Sequence, residues 1–575
     1  MSALVRYAAA IYHLGPRQAA RNLLHRATRS SRSFGRYARP GAGLAWTGKA
    51  RAPFLAHAGG ARLDAGCFTA IGRTLELGSP PDWEAAAPLL WLFNLHYFGW
   101  LAPLPADERR RLMLDWIERY APHTRRPGWM NYPLALRLRN WATLLFDGAA
   151  WPEAERARLF ASLEAQAECL LDTLEYHLRG NHLLEGAITL QFLAACFDGP
   201  AVSRWRRRSE RILRTELFEQ FLVDGGHVER SPMYHARLAH GLLDLVNVLP
   251  ESDETRVRIE KRLPDVLRFL AALRHPDGEL ALFNDAALGI APEPGAILDY
   301  AQRLGFETPA FGSGSFPVTG YHVWRGRDAA LLVDAGPLGP DYLPAHGHGD
   351  IFSYELSLDG RRVVVDGGTS SYEPGAERDW ARSTRAHNTV EVAGADQAEF
   401  FGAFRVGRRG RPRDVVARVS ADGLELTGWH DGYRRLAGSP IHRRELALVA
   451  PSALFVWDAV ESARPQAGVS RLRFRPGTML RLEGADAAAI DVDGVALALR
   501  SFGASLAVES GHYAERLGER VDCPVLALHK GPGPEFGYVL ARPAAAARIA
   551  PDAGQLGELA VPRPSRRASG ARAAA

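Results

Sequence analysis

Cysteine is scarce in this chain, with four residues among 575. Cys67, Cys169, Cys196 and Cys523 are far apart and form no C-x-x-C pair. This spacing argues against a disulfide framework and against a zinc site built from thiolates. We expect the four thiols to pack in hydrophobic cores. The compartment stays open, because a periplasmic protein need not use disulfides.

Long hydrophobic runs are also missing. No segment approaches the roughly 20 apolar residues that cross a bilayer, so we predict no transmembrane segment. The start, MSALVRYAAAIYHLG, has a short, interrupted apolar stretch without a clear small-residue cleavage site, so no export signal is expected. With 47% hydrophobic and 23% charged residues, the chain is long enough for large cores in at least two domains.

Acidic residues are absent from the first 63 positions, which contain ten Arg and one Lys. Residues 561–575 add four Arg without an acid, and the whole chain carries +5, so the body from 64 to 560 carries about −10. An acidic body argues against nucleic acid as a partner. We interpret 1–63 as a basic, helical lead-in, although a mitochondrial-type presequence has the same composition. Residues 561–575 are predicted to be a disordered tail.

From about 84 to 275, apolar residues recur with helical spacing, and glycine- and proline-containing turns separate the segments. About seven consecutive helices with short connections predict paired helices stacked into an arc or toroid over residues 64–305. Seven of the thirteen Trp lie between 83 and 151. Most are expected in the core, but flat rings also stack on sugars. We therefore include Trp141, with Asn131, among candidate substrate contacts.

After about 310 the hydrophobic period changes to two. Segments such as YHVWRG, AALLVDAG and HNTVEVAG alternate in strand fashion and are bounded by Gly, Asp and Pro. Asp359-Gly360 between FSYELSL and RRVVVDG predicts a β-hairpin. Many strands without helical crossovers predict an antiparallel β-sandwich over residues 306–560.

The strand-rich half carries histidines and a carboxylate near strand ends. His346 and His348 are two apart, so an extended backbone presents both imidazoles on one side. Asp366 ends the segment VVVD, and His387 begins HNTVEV. Two histidines and an aspartate can form a zinc site with an open position for water. Alternatively, these polar residues simply cap turns in a glycine-rich loop.

The helical half contributes a second polar group. Asn181 opens a predicted helix, where it can equally be an ordinary N-cap. His182 and Glu185 are three apart and share a helix face, so both can reach one substrate group. Tyr234 follows a Ser-Pro pair at another helix start. Its phenol can transfer a proton, although a tyrosine there is more often a packed aromatic.

Five motifs occur in a fixed order: NHLLEG at 181–186, ERSPMYH at 229–235, HGHGDIFSYEL at 346–356, VVVDGGT at 363–369 and RSTRAHNTV at 382–390. In order and spacing they resemble the heparinase II/III-like polysaccharide lyases, a group that includes alginate-lyase-like members. The resemblance covers about residues 80–450. It implies an incomplete (α/α) toroid followed by an antiparallel β-sandwich, and a periplasmic location.

The resemblance also implies roles for individual residues. Tyr234 and His346 would be the acid/base pair. The substrate carboxylate would be bound by Asn181, His182 and Glu185. A structural zinc near the cleft would be held by His348, Asp366 and His387.

The implied reaction is β-elimination from a uronic acid, in which the proton on carbon 5 is weakly acidic beside an anionic carboxylate. Hydrogen-bond donors neutralise that carboxylate and stabilise the enolate-like intermediate. His346 or Tyr234 takes the proton, and Tyr234 protonates the leaving oxygen at carbon 4. Candidates for holding the acidic polysaccharide are Arg137, Arg230 and Arg385. The acidic body favours a less charged uronate polymer over heparin.

Two other functions fit the same residues. A glycoside hydrolase on the toroid needs two opposed carboxylates, for which Glu185 with Glu229 or Asp285 can be nominated. A non-catalytic glycan-binding accessory protein of exopolysaccharide metabolism needs neither set. The ultraviolet absorbance of a conjugated uronate product separates lyase from hydrolase. The polymer, the cleavage mode and the oligomeric state are not defined by the sequence.

Overall fold

The computed structural model describes residues 3–14, 16–29, 34–38, 43–123, 125–309, 311–450 and 452–546. The predicted tail at 561–575 lies outside these ranges. A helical half is followed by a β half: the last long helix of the first ends at Arg303, and the first strand of the second begins at Gly314. None of the described helices is both long and apolar enough to span a membrane.

Helices dominate the described residues up to 303. They are α1 (Ala3–Tyr12), α2 (Pro16–Arg29), α3 (Leu89–Tyr97), α4 (Ala106–Arg119), α5 (Asn131–Leu144), α6 (Glu153–Thr173), α7 (Gly180–Cys196), α8 (Val202–Gln220), α9 (Pro232–Val248), α10 (Glu254–Ala272) and α11 (Pro294–Arg303). Two short helices follow in the β half, α12 (Ala376–Arg382) and α13 (Pro543–Ala546). The helical spacing of apolar residues predicts individual segments at 154–176, 204–222 and 255–273, and these agree with α6, α8 and α10 to within a turn.

The helices form an inner and an outer layer. Almost every residue of α7, with sequence GNHLLEGAITLQFLAAC, is buried. In contrast, α8 buries one face and leaves most of its arginines exposed. A helix that is apolar on all sides must be covered by other helices, whereas an amphipathic helix faces water. Accordingly α7 packs between α5 and α9 inside, and α8 packs on α7 from outside.

Two small antiparallel sheets belong to the helical half and were not predicted. The short strand β1 (Ala45–Trp46) pairs with β5 (Phe197–Asp198). A three-stranded sheet contains β2 (Arg62–Asp64), β3 (Cys67–Ala70) and β4 (Arg73–Glu76). Strands of two to four residues are too short to show an alternating pattern, which explains why the sequence did not indicate them.

The β half contains three larger sheets whose paired strands are antiparallel. The five-stranded sheet has the order β10–β9–β8–β7–β6, with β6 (Gly314–Phe316), β7 (Tyr321–Arg325), β8 (Ala330–Asp334), β9 (Ser353–Leu358) and β10 (Arg361–Val364). The four-stranded sheet has the order β11–β18–β23–β22, with β11 (Val390–Val392), β18 (Gly468–Arg473), β22 (Ala504–Tyr513) and β23 (Val521–Lys530).

The eight-stranded sheet is ordered β14–β15–β16–β17–β24–β21–β20–β19. Its strands are β14 (Pro412–Ser420), β15 (Gly423–His430), β16 (Ile441–Val449), β17 (Ala453–Glu461), β19 (Met479–Leu482), β20 (Ala487–Val492), β21 (Val495–Phe502) and β24 (Glu535–Ala541). A separate hairpin pairs β12 (Ala398–Phe401) with β13 (Arg405–Arg409). One core cluster joins Leu331, Leu446 and Leu528 from the three larger sheets, so the sheets pack face to face as a sandwich.

The predicted hairpin at Asp359-Gly360 is present and joins β9 to β10. Both residues adopt left-handed backbone, with φ of 51° and 74°. Two consecutive residues with positive φ are what a tight two-residue turn between antiparallel strands requires.

The two halves are joined by buried polar contacts. The carboxylate of Asp224 accepts the backbone N–H of Thr319 at 2.7 Å, and Glu355 accepts that of Leu282 at 2.7 Å. The N-terminal helix α2 also spans both halves, because the Gln18 side chain donates to the carbonyls of His177 (3.1 Å) and Tyr342 (3.2 Å). The fold is a helical toroid followed by an antiparallel β-sandwich.

Candidate active site

The N-terminal ends of α7 and α9 face loops of the β half at the boundary between the halves. Helix α7 can start there because residue 180 is a glycine with φ +59°, where an added Cβ would lie 2.4 Å from both Glu229 Oε1 and Leu343 Cδ2. At the start of α9, Ser231 Oγ accepts the N–H of Tyr234 at 3.2 Å. These two local structures direct Asn181 and Tyr234 toward the boundary.

Tyr234 and His346 are in ring contact across that boundary. Their ring centroids are 4.3 Å apart, and each residue is 8% exposed, so both keep a small contact with solvent. The Tyr234 hydroxyl lies 3.4 Å from the hydroxyl of Tyr372. Burial, with a smaller contribution from Tyr372, raises the pKa of Tyr234 well above its ordinary value. The phenol therefore holds its proton at neutral pH.

Behind His346 lies a buried carboxylate, Asp285. It contacts His346 Nδ1 at 2.8 Å, His348 Nε2 at 2.9 Å and Arg378 Nη2 at 2.8 Å. Burial acts to raise the pKa of Asp285, but the Arg378 guanidinium and both imidazoles hold it well below its usual range. An ionised carboxylate only accepts hydrogen bonds, so the proton of neutral His346 is assigned to Nδ1. Nε2 then carries the lone pair of a base.

Asn181 is held by Glu229, which is 1% exposed. Glu229 Oε1 accepts the backbone N–H of Asn181 at 2.6 Å, and the amide Nδ2 lies 3.1 and 2.9 Å from the two carboxylate oxygens. The two N–H bonds of an amide diverge widely, whereas carboxylate oxygens are close together. One N–H therefore serves both oxygens and leaves the second as a donor. Glu229 Oε2 also lies 3.4 Å from His346 Nε2.

His182 stands on the same end of α7. Its ring stacks on Tyr132 with centroids 4.4 Å apart, and its Nδ1 lies 2.7 Å from Glu175 Oε2. Burial acts to lower the pKa of His182, but the charge of Glu175 and this hydrogen bond outweigh it and raise the pKa. His182 is thus protonated at a higher pH than a free histidine.

Three predicted site residues are not brought to the boundary. Glu185 lies one turn further along α7, fully buried, with Oε1 2.5 Å from Arg139 Nη1. Arg137 and Trp141 are also fully buried, and Arg137 Nε donates to Gln166 Oε1 at 2.8 Å. Their place on the inner helix α5 turns them into the toroid core, where a sugar cannot reach them in this conformation.

The remaining predicted contacts differ in exposure. Asn131 begins α5 and donates to the carbonyl of Thr173 at 3.0 Å. Arg230 is buried and donates from Nε to the carbonyl of Thr319 at 2.8 Å, so it ties the halves together. Of the three predicted arginines, Arg385 is the one that is exposed.

The predicted zinc ligands lie together beneath His346. The His348 and His387 rings are 5.3 Å apart, and His387 Nδ1 lies 2.8 Å from Asp366 Oδ2. His348 Nδ1 and His387 Nε2 are buried without a hydrogen-bond partner, so each can offer a lone pair to a cation. Within the described ranges, however, no three His, Cys, Asp or Glu side chains converge as a metal site. The donor types fit a zinc ion. Of the three predicted ligands, His348 and His387 each have an unpartnered nitrogen that can bind it.

Four residues at the site were missed or given another role in the sequence analysis. Glu229 and Asp285 were considered only as hydrolase carboxylates. Tyr372 lies in the loop between Asp366 and α12, where a lone aromatic in GGTSSYEPG was the available signal. Arg378 begins no motif, and its buried pairing with Asp285 had no signal in the sequence.

Both halves of the chain match models of known protein families. Residues 96–291 match the family model "Heparinase II/III N-terminus", and residues 308–529 match "Heparinase II/III-like, C-terminal". No curated protein sequence matches the chain.

Several solved structures share the fold. A heparinase III has 16% identity over 80% of this chain and 79% of its own, with a TM-score of 0.67. A second heparinase III gene product has 18% identity over 81% of each chain and a TM-score of 0.61. A heparan sulfate lyase from Pedobacter heparinus has 18% identity over 83% of this chain and 81% of its own, with a TM-score of 0.55. The two family matches together span most of the sequence and confirm the resemblance: the chain belongs to the heparinase II/III family of polysaccharide lyases.

Proposed function

We propose that the protein cleaves a uronic-acid-containing acidic polysaccharide by β-elimination in the cleft between the toroid and the sandwich. The observation that carries this proposal is the ring contact between His346 and Tyr234. The Asp285 contact assigns the proton of a neutral His346 ring to Nδ1 and the lone pair to Nε2, and burial keeps the Tyr234 phenol protonated. A base and an acid side by side are what the removal of one proton and the delivery of another require.

Neutralisation of the substrate carboxylate is assigned to Asn181 and His182. The second amide N–H of Asn181 is available as a donor, and Glu229 holds the amide in orientation. His182 supplies positive charge because Glu175 raises its pKa. Donors and charge aimed at the carboxylate stabilise the negative charge that develops as the carbon 5 proton leaves.

The two proton transfers are assigned to His346 and Tyr234. His346 Nε2 takes the carbon 5 proton, and the electrons of that bond form the double bond between carbons 4 and 5. The bond from carbon 4 to the glycosidic oxygen breaks, and Tyr234 protonates that oxygen. Asp285 stabilises the imidazolium through Nδ1–H. The Tyr372 hydroxyl lies beside the resulting phenolate. Water is not consumed.

For the substrate we propose a weakly charged uronate polymer. The body of the chain from 64 to 560 carries about −10, which opposes a densely sulfated polyanion. Arg385 is exposed and available for single acidic groups along the polymer.

We also propose a structural zinc at the predicted site of His348, Asp366 and His387, bound through the unpartnered nitrogens of the two histidines, with Asp366 behind His387. Its support is the pair of buried, unpartnered imidazole nitrogens on the two histidines. Asp366 orients His387 through Nδ1, as carboxylates do behind metal-bound histidines. The ion would supply positive charge that holds the two β-half loops together. We expect about one zinc per chain by elemental mass spectrometry, lost in His387→Ala and kept in the control His512→Ala, which changes a partly exposed histidine away from the site. Equal zinc in both variants would contradict this site.

The hydrolase function has less support. Asp285 is paired with Arg378, and its pKa is held low, so it cannot act as a general acid. Glu185 is paired with Arg139 inside the toroid. Glu229 is occupied by Asn181. Among the described residues, these nominated carboxylates do not form a free, opposed pair of the kind that hydrolysis uses.

The experiment is an ultraviolet assay of the purified protein against a panel of uronate polymers. We expect absorbance of a conjugated uronate, reduced at least about 100-fold in Tyr234→Phe and in His346→Ala. Tyr354→Phe is the matched control, because it also removes one hydroxyl from a buried tyrosine pair, Tyr354–Tyr538 at 2.8 Å in the β core. Reducing sugar without absorbance would indicate hydrolysis, and full biological activity of both folded variants would indicate a non-catalytic role.

A further inference from the structure

A cavity lies inside the toroid, and its lining includes Arg237 but not Asn181, His182, Tyr234 or His346. Arg237 contacts the ring of Tyr132, which in turn stacks on His182. Its volume is about 600 Å³, within the range of small-molecule sites. The buried side chains of Arg139 on α5 and Asp244 on α9 line its base. Residues 50–57 cover the opposite side, and the exposed Arg51 and Asp147 stand at its rim.

The covering segment is built into the fold. Asn247 Oδ1 accepts the backbone N–H groups of Arg51 (2.8 Å) and Ala52 (3.0 Å), and its Nδ2 donates to the Ala52 carbonyl at 2.9 Å. The backbone of His57 approaches Gly99 so closely that a Cβ there would lie 2.6 Å from the His57 carbonyl oxygen. The cavity is therefore a preformed space whose wall does not need to be ordered by a ligand.

Arg237 brings to this cavity a cation that has no ion-pair partner among the described residues. Burial acts to lower its pKa, but Tyr132 and the more distant Glu185 carboxylate raise it. Its Nη1 donates to the Ile290 carbonyl at 3.1 Å, and its guanidinium lies 5.6 and 5.5 Å from the ring centroids of Tyr97 and Tyr132. Its Nε is buried without a hydrogen-bond partner, and no carboxylate of the described residues is within ion-pair distance of it. A desolvated guanidinium of this kind favours an anion.

Asp244, His57 and His240, which also line the cavity, carry little or only partial charge near neutral pH. Burial raises the pKa of Asp244 to about 7, so its negative charge is only partial near neutral pH. Burial lowers the pKa of His57 to about 4 and that of His240 to about 3. The two imidazoles are then uncharged hydrogen-bonding groups. Phe98 adds an apolar wall.

We propose that this cavity is a binding site for a small acidic sugar, a mono- or disaccharide whose carboxylate pairs with Arg237 and whose hydroxyl groups face His57 and His240. One unpaired cation, neutral polar groups and an aromatic wall together match a ring that carries one carboxylate and several hydroxyls. The site is separate from the cleft in which we propose elimination, and the inference goes beyond that function and does not depend on it.

The test is isothermal titration of the full-length protein with sodium D-glucuronate, with sodium acetate as the control for charge alone and D-glucose as the control for sugar alone. We expect glucuronate to bind at least tenfold more tightly than either control. Arg237→Leu should weaken it at least tenfold. Arg214→Leu, which removes an exposed arginine from the outer helix α8, should leave it unchanged. Tyr234→Phe should also leave it unchanged.

A second variant tests the location without removing charge. Ala102 lines the cavity at its edge, so Ala102→Phe fills the space and should abolish binding while circular dichroism shows a folded protein. If Arg237→Leu does not fold, the binding measured with Ala102→Phe shows whether glucuronate occupies the cavity. The proposal is overturned if the wild type does not bind glucuronate, if acetate or glucose binds equally well, if Ala102→Phe binds normally, or if Tyr234→Phe removes binding. None of these outcomes affects the ultraviolet assay for the lyase.

Discussion

Asp285 is the residue on which the greatest number of site contacts converge, since both imidazoles of the His-Gly-His motif and the guanidinium of Arg378 bind it. The carboxylate selects the His346 tautomer and neutralises a fully buried arginine. One side chain thus contributes both to the chemistry and to the stability of the protein.

We expect Asp285→Asn to lower kcat by about 10³–10⁴, because the amide no longer dictates which imidazole nitrogen carries the proton. It should also lower the free energy of unfolding by about 3–5 kcal/mol, because Arg378 is left buried without its partner. Asp265→Asn is the control, since Asp265 pairs with Arg268 at a solvent-exposed position and should cost less than about 1 kcal/mol. Steady-state kinetics and urea unfolding measure both effects. A kcat within twofold of the wild type would contradict the assigned role.

His182 predicts a pH dependence. Burial acts to lower its pKa and Glu175 raises it, so the protonated form survives to a higher pH than in a free histidine and is lost as pH rises through the raised value. In Glu175→Gln the raising charge is gone, and we expect the alkaline limb of kcat/KM to move to lower pH. Glu118→Gln, which breaks an exposed pair with Arg158, should leave the limb in place. An unshifted limb, or one shifted upward, would exclude His182 as the charged donor.

At the scale of elements, the start of α7 depends on a glycine. In Gly180→Ala the new Cβ is strained by the positive φ and also lies too close to Glu229 and Leu343. We expect the free energy of unfolding to fall by about 1–3 kcal/mol and kcat/KM to fall with it. Gly278→Ala has the matching strain, with φ +90° and open space around the added Cβ, and should cost about 1 kcal/mol with unchanged activity. Urea unfolding and the ultraviolet assay make the comparison. Equal losses in both variants would show that the helix start does not depend on close packing.

The elements that the sequence predicted well are those with a strong local signal. The amphipathic helices α8 and α10 have a clear helical period of apolar residues. The dipeptide Asp359-Gly360 is typical of a two-residue hairpin turn. The strands β2 to β4 have three or four residues each, which is too short for any period to emerge. The inner helix α5 was read as a source of sugar contacts through Trp141, because aromatic composition does not reveal which face of a helix is covered.

The site residues that were predicted are likewise those with a local sequence signal. Asn181, Tyr234 and His346 were predicted because motifs carry them, and the structure places them around one boundary. Asp285 and Arg378 were not given their roles, since a buried pair separated by 93 residues leaves no local pattern. Glu185 shares a helix face with His182, yet the toroid closes around it one turn deeper. The spacing of residues along a helix predicts which face a side chain lies on, but not how deeply it is buried.

At the scale of the whole molecule, the charge distribution should affect substrate choice. An acidic body repels a densely sulfated polymer more than an unsulfated one. We expect the initial ultraviolet rate at low salt to be at least about threefold higher for an unsulfated uronate polymer than for heparin. The difference should narrow at about 0.2 M salt, where charges are screened beyond roughly 8 Å. A faster reaction with heparin at low salt would contradict the expected substrate class.

The Gln18 contacts also bear on how the protein is completed during synthesis. The two carbonyls that receive its amide lie 159 and 324 residues later in the chain. Helix α2, which contains Gln18, therefore cannot complete these two contacts until Tyr342 has been made and the β half has begun to assemble on the toroid. Until then Gln18 lacks its acceptor on Tyr342, so this early segment is among the last to reach its final place.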